Sequence, residues 1–231
     1  MFSLKSRTAA TALAAGLALT LAACGSDDDT TSGSSTSSES AAPEADPTPA
    51  AAIDSLTGVQ TAVTLDPSFL AGLESLMLAP GVVGGATLDA ATGKIAFPIS
   101  GGNVTYFDPA SGVEPFVQGS IEHDGSGLSL TAGDTVVELT DFVVDPEESV
   151  LTGKVTANGE VAAESAPLFF LDGSTVNPLQ VNESEGTAVL EGTTVSLTAD
   201  AAELLNKTFG TDALTEFFLV GIAEITLQLP A

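Results

Sequence analysis

Among side chains able to do chemistry, this chain carries one imidazole, His123, one phenol, Tyr106, and one thiol, Cys24. An imidazole titrates near neutrality and ligates transition metals, so His123 is a candidate ligand-pocket or metal residue. Its plainer role is a hairpin-end histidine bonded to a backbone carbonyl or to a neighbouring acid, Asp124 or Glu122. Tyr106 can orient a ligand through its hydroxyl, or it can fill a core or rim position of an alternating strand. The acidic stretches Asp145–Glu148 and Asn182–Glu185 offer oxygen ligands for Ca²⁺. Neither has EF-hand spacing, and solvated turns are the simpler expectation. No G-x-S-x-G, H-E-x-x-H or G-x-x-x-x-G-K-S/T motif occurs. Close carboxylate pairs arise by chance among 31 acids, so they do not argue for glycoside hydrolysis. The expectation is a non-catalytic chain with no metal centre, and with His123 and Tyr106 as its candidate ligand-binding residues.

Cys24 has a more definite context. It ends the run Leu21-Ala22-Ala23-Cys24, where an apolar leader gives way to a polar segment. Lys5 and Arg7 form a positive n-region, and Thr8 to Ala23 an apolar stretch. That stretch is shorter than the roughly 20 residues of a stable span. The four residues resemble the lipobox of bacterial lipoproteins. The resemblance implies a signal peptide over residues 1–23, cleavage after Ala23, a thioether-linked diacylglycerol on Cys24, and acylation of the new amine with a chain such as palmitate. Several acyl chains give lasting anchorage where one gives only marginal binding. The chain is therefore expected at the cell membrane of a bacterium, lipid-anchored on the extracytoplasmic face. The alternative is a free thiol after an ordinary signal peptide.

Residues 24–56 are rich in Ser, Thr, Ala, Pro and acids. They cannot bury enough apolar surface to offset ordering entropy, so a disordered tether is expected. The formal charge is −26, from five Lys plus Arg against 31 Asp plus Glu. Two of the five bases lie in the leader. A chain so poor in bases is repelled by nucleic acid. One cysteine leaves no disulfide framework and no cysteine-based zinc cluster.

The elements that must position His123 and Tyr106 lie in residues 57–231. Ile95, Phe97 and Ile99 alternate with polar or small residues, as do Val195 and Leu197, and Ala223, Ile225, Leu227 and Leu229. The repeated two-residue period predicts a mainly β domain, an antiparallel β-sandwich with two short capping helices. A hairpin turning at Asp124-Gly125-Ser126-Gly127 would face His123 with Leu128 and Ile121 with Leu130. A second, turning at Asp145–Glu148, joins Thr135–Val144 to Val150–Thr156, with a β-bulge near Thr140-Asp141 to reconcile its two apolar phases. One helix begins at Asp66-Pro67 and carries the stripe Phe69, Leu70, Leu73, Leu76 and Met77 up to Pro80-Gly81. The other opens on Asp200…Glu203, read as a capping box, and stops at Gly210.

The order of these elements resembles the HtaA-type domain of actinobacterial surface haem-uptake proteins. The matching stretches are Phe97–Gly102, Asp108–Gly112, Gly119–Leu130 and Leu197–Ala202, within residues 66–230. The resemblance implies a β-sandwich, an actinobacterial source, and haem capture through a tyrosine on the first helix supported by a histidine of the central hairpin. Here Phe69–Leu78 contains no tyrosine, nor does Phe209-Gly210-Thr211, and only His123 matches. Three functions stay open: a non-catalytic binding or surface-interaction module for a small ligand or envelope component, a haem or small-ligand capture protein, and an envelope structural or adhesion protein. The sequence does not fix the oligomeric state.

Overall fold

The structure is a computed structural model that describes residues 47–230. The expected signal peptide, Cys24 and the tether as far as residue 46 lie outside the described residues. In chain order the elements are β1 (Ala51–Ile53), β2 (Val59–Leu65), α1 (Pro67–Ser75), β3 (Ala79–Gly84), β4 (Thr87–Asp89), β5 (Lys94–Pro98) and β6 (Gly101–Tyr106). There follow β7 (Val117–Ala132), β8 (Thr135–Asp145), β9 (Val150–Ala157), β10 (Glu160–Asp172), β11 (Gln180–Asn182), β12 (Thr187–Leu197), α2 (Ala199–Phe209) and β13 (Leu219–Gln228). The first strand falls inside the expected tether. Ala51–Ile53 pairs with β6, and Ile53 and Leu56 are buried, so the folded unit starts earlier than residue 57.

All thirteen strands belong to one antiparallel sheet in the order β1-β6-β7-β8-β9-β10-β12-β13-β2-β5-β4, with β3 added to β7 and β11 to β12. Two near-terminal members of that order, β6 and β5, are consecutive in the chain and parted only by Ile99 and Ser100. The Ser100 amide donates to the Glu122 carbonyl at 2.8 Å. The sheet therefore curls on itself, and the two layers of the expected sandwich are halves of one continuous ladder. Inward-pointing residues form two apolar clusters. The larger holds Ile95, Phe97, Leu139, Phe142, Phe169 and Val195 beneath the helices. The smaller holds Ile53, Leu56, Ile99, Val104, Ile121, Val144 and Leu227.

The expected hairpin at Asp124–Gly127 does not form. β7 runs straight through as one long strand and changes neighbours there, pairing with β6 before the segment and with β3 after it. His123 faces Phe142 and Leu128 faces Leu139, both on β8. The segment is a bulge. Gly127 lies so close to β8 that a Cβ there would meet the Leu139 carbonyl oxygen. On β8 the expected bulge at Thr140-Asp141 is present: the register with β9 shifts between Thr140 and Val143, and Asp141 takes a left-handed φ of 53°. The second hairpin turns at Asp145–Glu148 as expected, with Asp145 Oδ1 accepting from the Glu147 amide at 2.9 Å.

Both helices occur. Asp66 caps α1 by accepting from the Ser68 amide at 2.7 Å, and Phe69 and Leu73 are its buried positions. The stripe ends sooner than expected. Met77 lies beyond the helix, 83% exposed, and Pro80-Gly81 belongs to β3. The cap of α2 is Thr198 and not Asp200. Its hydroxyl accepts from the Ala201 amide at 3.1 Å and donates to the Pro167 carbonyl at 2.7 Å, which ties the helix to β10. Gly210, left-handed at φ 66°, ends α2.

Candidate functional site

His123 is carried by the inward face of β7 and is 1% exposed. Its Nδ1 lies 2.9 Å from the Pro98 carbonyl oxygen. A carbonyl can only accept, so Nδ1 carries the proton, and in the neutral ring Nε2 presents a lone pair. Burial pushes the His123 pKa below its ordinary value, against opposing effects of the Pro98 and Phe97 backbone and the Asp124 charge. Phe97 packs edge-on to the ring, with centroids 6.3 Å apart. The bulge holds this arrangement through three bonds. Ser126 Oγ donates to the His123 carbonyl at 3.0 Å, the Asp124 amide to Ser100 Oγ at 2.9 Å, and the Gly125 amide to Asp141 Oδ1 at 2.9 Å.

His123 Nε2 has no hydrogen-bond partner, and neither has the buried Thr61 Oγ1 on β2. Both residues line one small cavity of about 50 Å³. Its other walls include Ile95, Phe97, Phe142, Phe169, Val195 and Ala223. The space exceeds the roughly 10–15 Å³ that one water needs, but its wall is almost wholly apolar, and apolar cavities of this kind stay dry.

A second, larger cavity of about 430 Å³ lies beside the smaller apolar cluster, partly open. Ile53, Val104, Ile121, Leu190, Ile225 and Leu227 supply apolar wall, with Tyr106, Phe116 and Phe170 as the aromatic part. Exposed Ser174 and Val181 mark the side that meets solvent. Its ionisable carboxylates are Glu114 and Asp172, and no Lys, Arg or His lines it. Lys94 is instead paired with Glu224 at 3.2 Å, and Lys154 with Glu164 at 3.5 Å. The two cavities share Val144, Leu171, Thr193 and Ile225 as wall.

The two candidate residues are thus placed in different spaces. Tyr106 lines the larger cavity, with its ring edge-on to Phe116 at 6.0 Å, while His123 lines the smaller one. Thr61 had escaped notice, although it is the polar member of the inward phase Thr61, Val63 and Leu65. The larger cavity is assembled from many separate strands, and no local pattern announces it. Among the described residues no group of three or more His, Cys, Asp or Glu side chains could hold a metal ion, and no helix is long and apolar enough to cross a membrane.

The curled sheet with its two helices has an HtaA-like fold. The C-terminal domain of HtaA from Corynebacterium glutamicum superposes with a TM-score of 0.51 at 14% identity, covering 75% of this chain and 97% of that one. The N-terminal domain of the same protein gives a TM-score of 0.44 at 14% identity, covering 76% and 99%. A domain-swapped dimer variant of the C-terminal domain gives 0.45 at 16% identity, covering 71% and 91%. No protein-family model matches the chain, and no curated protein sequence does. At such identities the likeness concerns the fold, and function rests on the site.

The residues around His123 do not fit a haem. The cavity that His123 lines is about 50 Å³, against the roughly 300–1,000 Å³ of small-molecule and cofactor sites. The larger cavity has the volume and holds Tyr106, but its lining offers carboxylates and no cation to the propionates of a haem.

Proposed function

We propose that this chain is a lipid-anchored, extracytoplasmic, non-catalytic binding module of an actinobacterial envelope, holding an apolar small molecule inside its curled sheet. The lipobox-like run ending at Cys24 supports the anchorage and the compartment. The observation that carries the binding role is the cavity of about 430 Å³ walled chiefly by aliphatic and aromatic side chains. That volume lies within the usual range of ligand sites, which are mostly apolar with a few placed polar groups. Titration with N-phenyl-1-naphthylamine, an uncharged dye that brightens in apolar surroundings, tests it. Saturable uptake near one dye per chain is expected, and fluorescence no greater than that of a denatured control contradicts it. Labelling with radioactive palmitate, lost in Cys24→Ser, tests the anchor.

Haem capture is the second reading, favoured by the HtaA-like fold. Haemin added to the protein separates the two. No new Soret band is expected, and a stoichiometric band abolished by His123→Ala would favour haem.

A further inference from the structure

We propose that the ligand of the larger cavity is a cationic amphiphile, its hydrocarbon tail held among the buried floor residues and its positively charged head at the rim beside Glu114 and Asp172. This deepens the binding role proposed above and rests on it.

The lining of the cavity changes character from floor to rim. Ile53, Val104, Ile121, Val144 and Leu227 line it and are buried. Its floor thus offers hydrocarbon side chains, and apolar surface removed from water there supplies affinity. Glu114 and Ser174 also line it and are exposed, and Asp172 is half-buried. A molecule with one tail and one polar head matches such a site in one orientation, tail inward and head toward solvent. The sign of the head follows from the charges. Asp172 Oδ1 accepts from the amide and the hydroxyl of Ser174, at 2.9 and 2.6 Å, which fixes the side chain at the start of the short helical turn Gly173–Thr175. Between Pro146 and Ser149, two further lining residues, stand the exposed Glu147 and Glu148. Glu147 accepts from the Gly119 amide at 3.3 Å, which ties that acidic turn to β7. No Lys, Arg or His lines the cavity to offset these carboxylates. Of the described lysines, Lys94 and Lys154 are paired with Glu224 and Glu164, and Lys207 lies on α2. An anionic head would enter an uncompensated negative field, whereas a cationic head is drawn to it. A neutral head leaves the tail its burial and gains nothing from the carboxylates.

The test compares decylammonium, decanol and decanoate, one tail with three heads, as competitors of N-phenyl-1-naphthylamine below the concentrations at which they form micelles. The protein is the full chain carrying Cys24→Ser, so that its own acyl groups do not compete. At low salt decylammonium should bind about fivefold more tightly than decanol, the reach of solvent-screened ion pairs, and decanoate more weakly than either. The gap between the heads should close between about 0.01 M and about 1 M salt. Glu114→Gln with Asp172→Asn should remove the gap and leave decanol and the dye unchanged, since asparagine keeps the acceptor for Ser174. Glu114→Gln alone, at an exposed position, should narrow it. Asp200→Asn with Glu203→Gln, which removes equal charge from the exposed face of α2, should leave it in place and so separates the rim from the overall charge of the chain. Equal binding of the three heads, a gap that survives in the rim variant, or one lost equally in the α2 variant overturns the inference and leaves the apolar binding role standing. Failure of the dye and of all three competitors to bind overturns both.

Discussion

The amide of Gly125 donates to Oδ1 of Asp141 across 2.9 Å, joining the bulge of β7 to the bulge of β8. His123 lies two residues from one end of that bond and pairs with Phe142, next to the other. The bond thus braces the place where β7 exchanges β6 for β3 and where the imidazole is turned inward. Asp141 does two things there: it accepts the amide, and it tolerates the left-handed φ of 53° that aspartate and asparagine adopt more readily than most residues. Asp141→Ala loses both and should cost about 1–3 kcal/mol. Asp141→Asn keeps the acceptor and the conformation and should stay within about 1 kcal/mol of the parent. Urea unfolding followed by far-ultraviolet circular dichroism checks the pair, and equal loss in both variants would show that the bond does not brace the bulges.

The lowered pKa of His123 has a consequence for stability. The unfolded chain takes up a proton on this ring near its ordinary value of about 6.5, while the folded chain resists until lower pH. Stability from this group is therefore complete above pH 6.5 and declines as pH falls from there toward the folded pKa. A pH titration of the single imidazole by NMR should place its midpoint below the ordinary value. A midpoint at or above about 6.5 contradicts the burial seen here.

Thr61 offers a prediction of opposite sign. Its buried Oγ1 is unpartnered, and valine has nearly the same shape without the hydroxyl. Thr61→Val should raise stability by about 1 kcal/mol. A fall in stability measured by urea unfolding would mean that the hydroxyl has a partner in solution.

Phe142 is the aromatic centre of the larger cluster, 2% exposed and edge-on to Phe97 at 5.3 Å and to Phe169 at 6.3 Å. Phe142→Ala should cost about 3–5 kcal/mol, enough to threaten folding of a domain of ordinary stability. Loss of less than about 1 kcal/mol in denaturant titration would mean that the cluster repacks.

What could be read from the sequence was what is local. Alternation along Ile95-Phe97-Ile99 and Ala223-Ile225-Leu227 carries the strands, Asp66-Pro67 and Gly210 carry helix ends, and the clash of phase between Leu139 and Phe142 carries the β8 bulge. The Asp124–Gly127 segment misled because its composition suits a hairpin turn as well as a bulge. The difference lies in β3 and β8, which pair with β7 on either side and hold it extended. The β1 strand was missed for a similar reason. Ala51–Ile53 has almost no pattern of its own and is ordered by β6. His123 was visible as a lone imidazole on an apolar face, and a bond to a backbone carbonyl was one of its two expected roles. That Thr61 lines the same cavity was not visible, because β2 and β7 are brought together by the curl of the whole sheet.

A ligand site in the cavity beside the smaller cluster can be tested by filling that cavity. Ala188 is buried in its wall on β12, so Ala188→Phe places a ring in the space the ligand would occupy. With circular dichroism and the unfolding transition matched to the parent, the dye should bind the parent saturably and the variant at least about tenfold more weakly, a difference of about 1.4 kcal/mol. A folded Ala188→Phe that takes up N-phenyl-1-naphthylamine as tightly as the parent would contradict a ligand site inside the sheet.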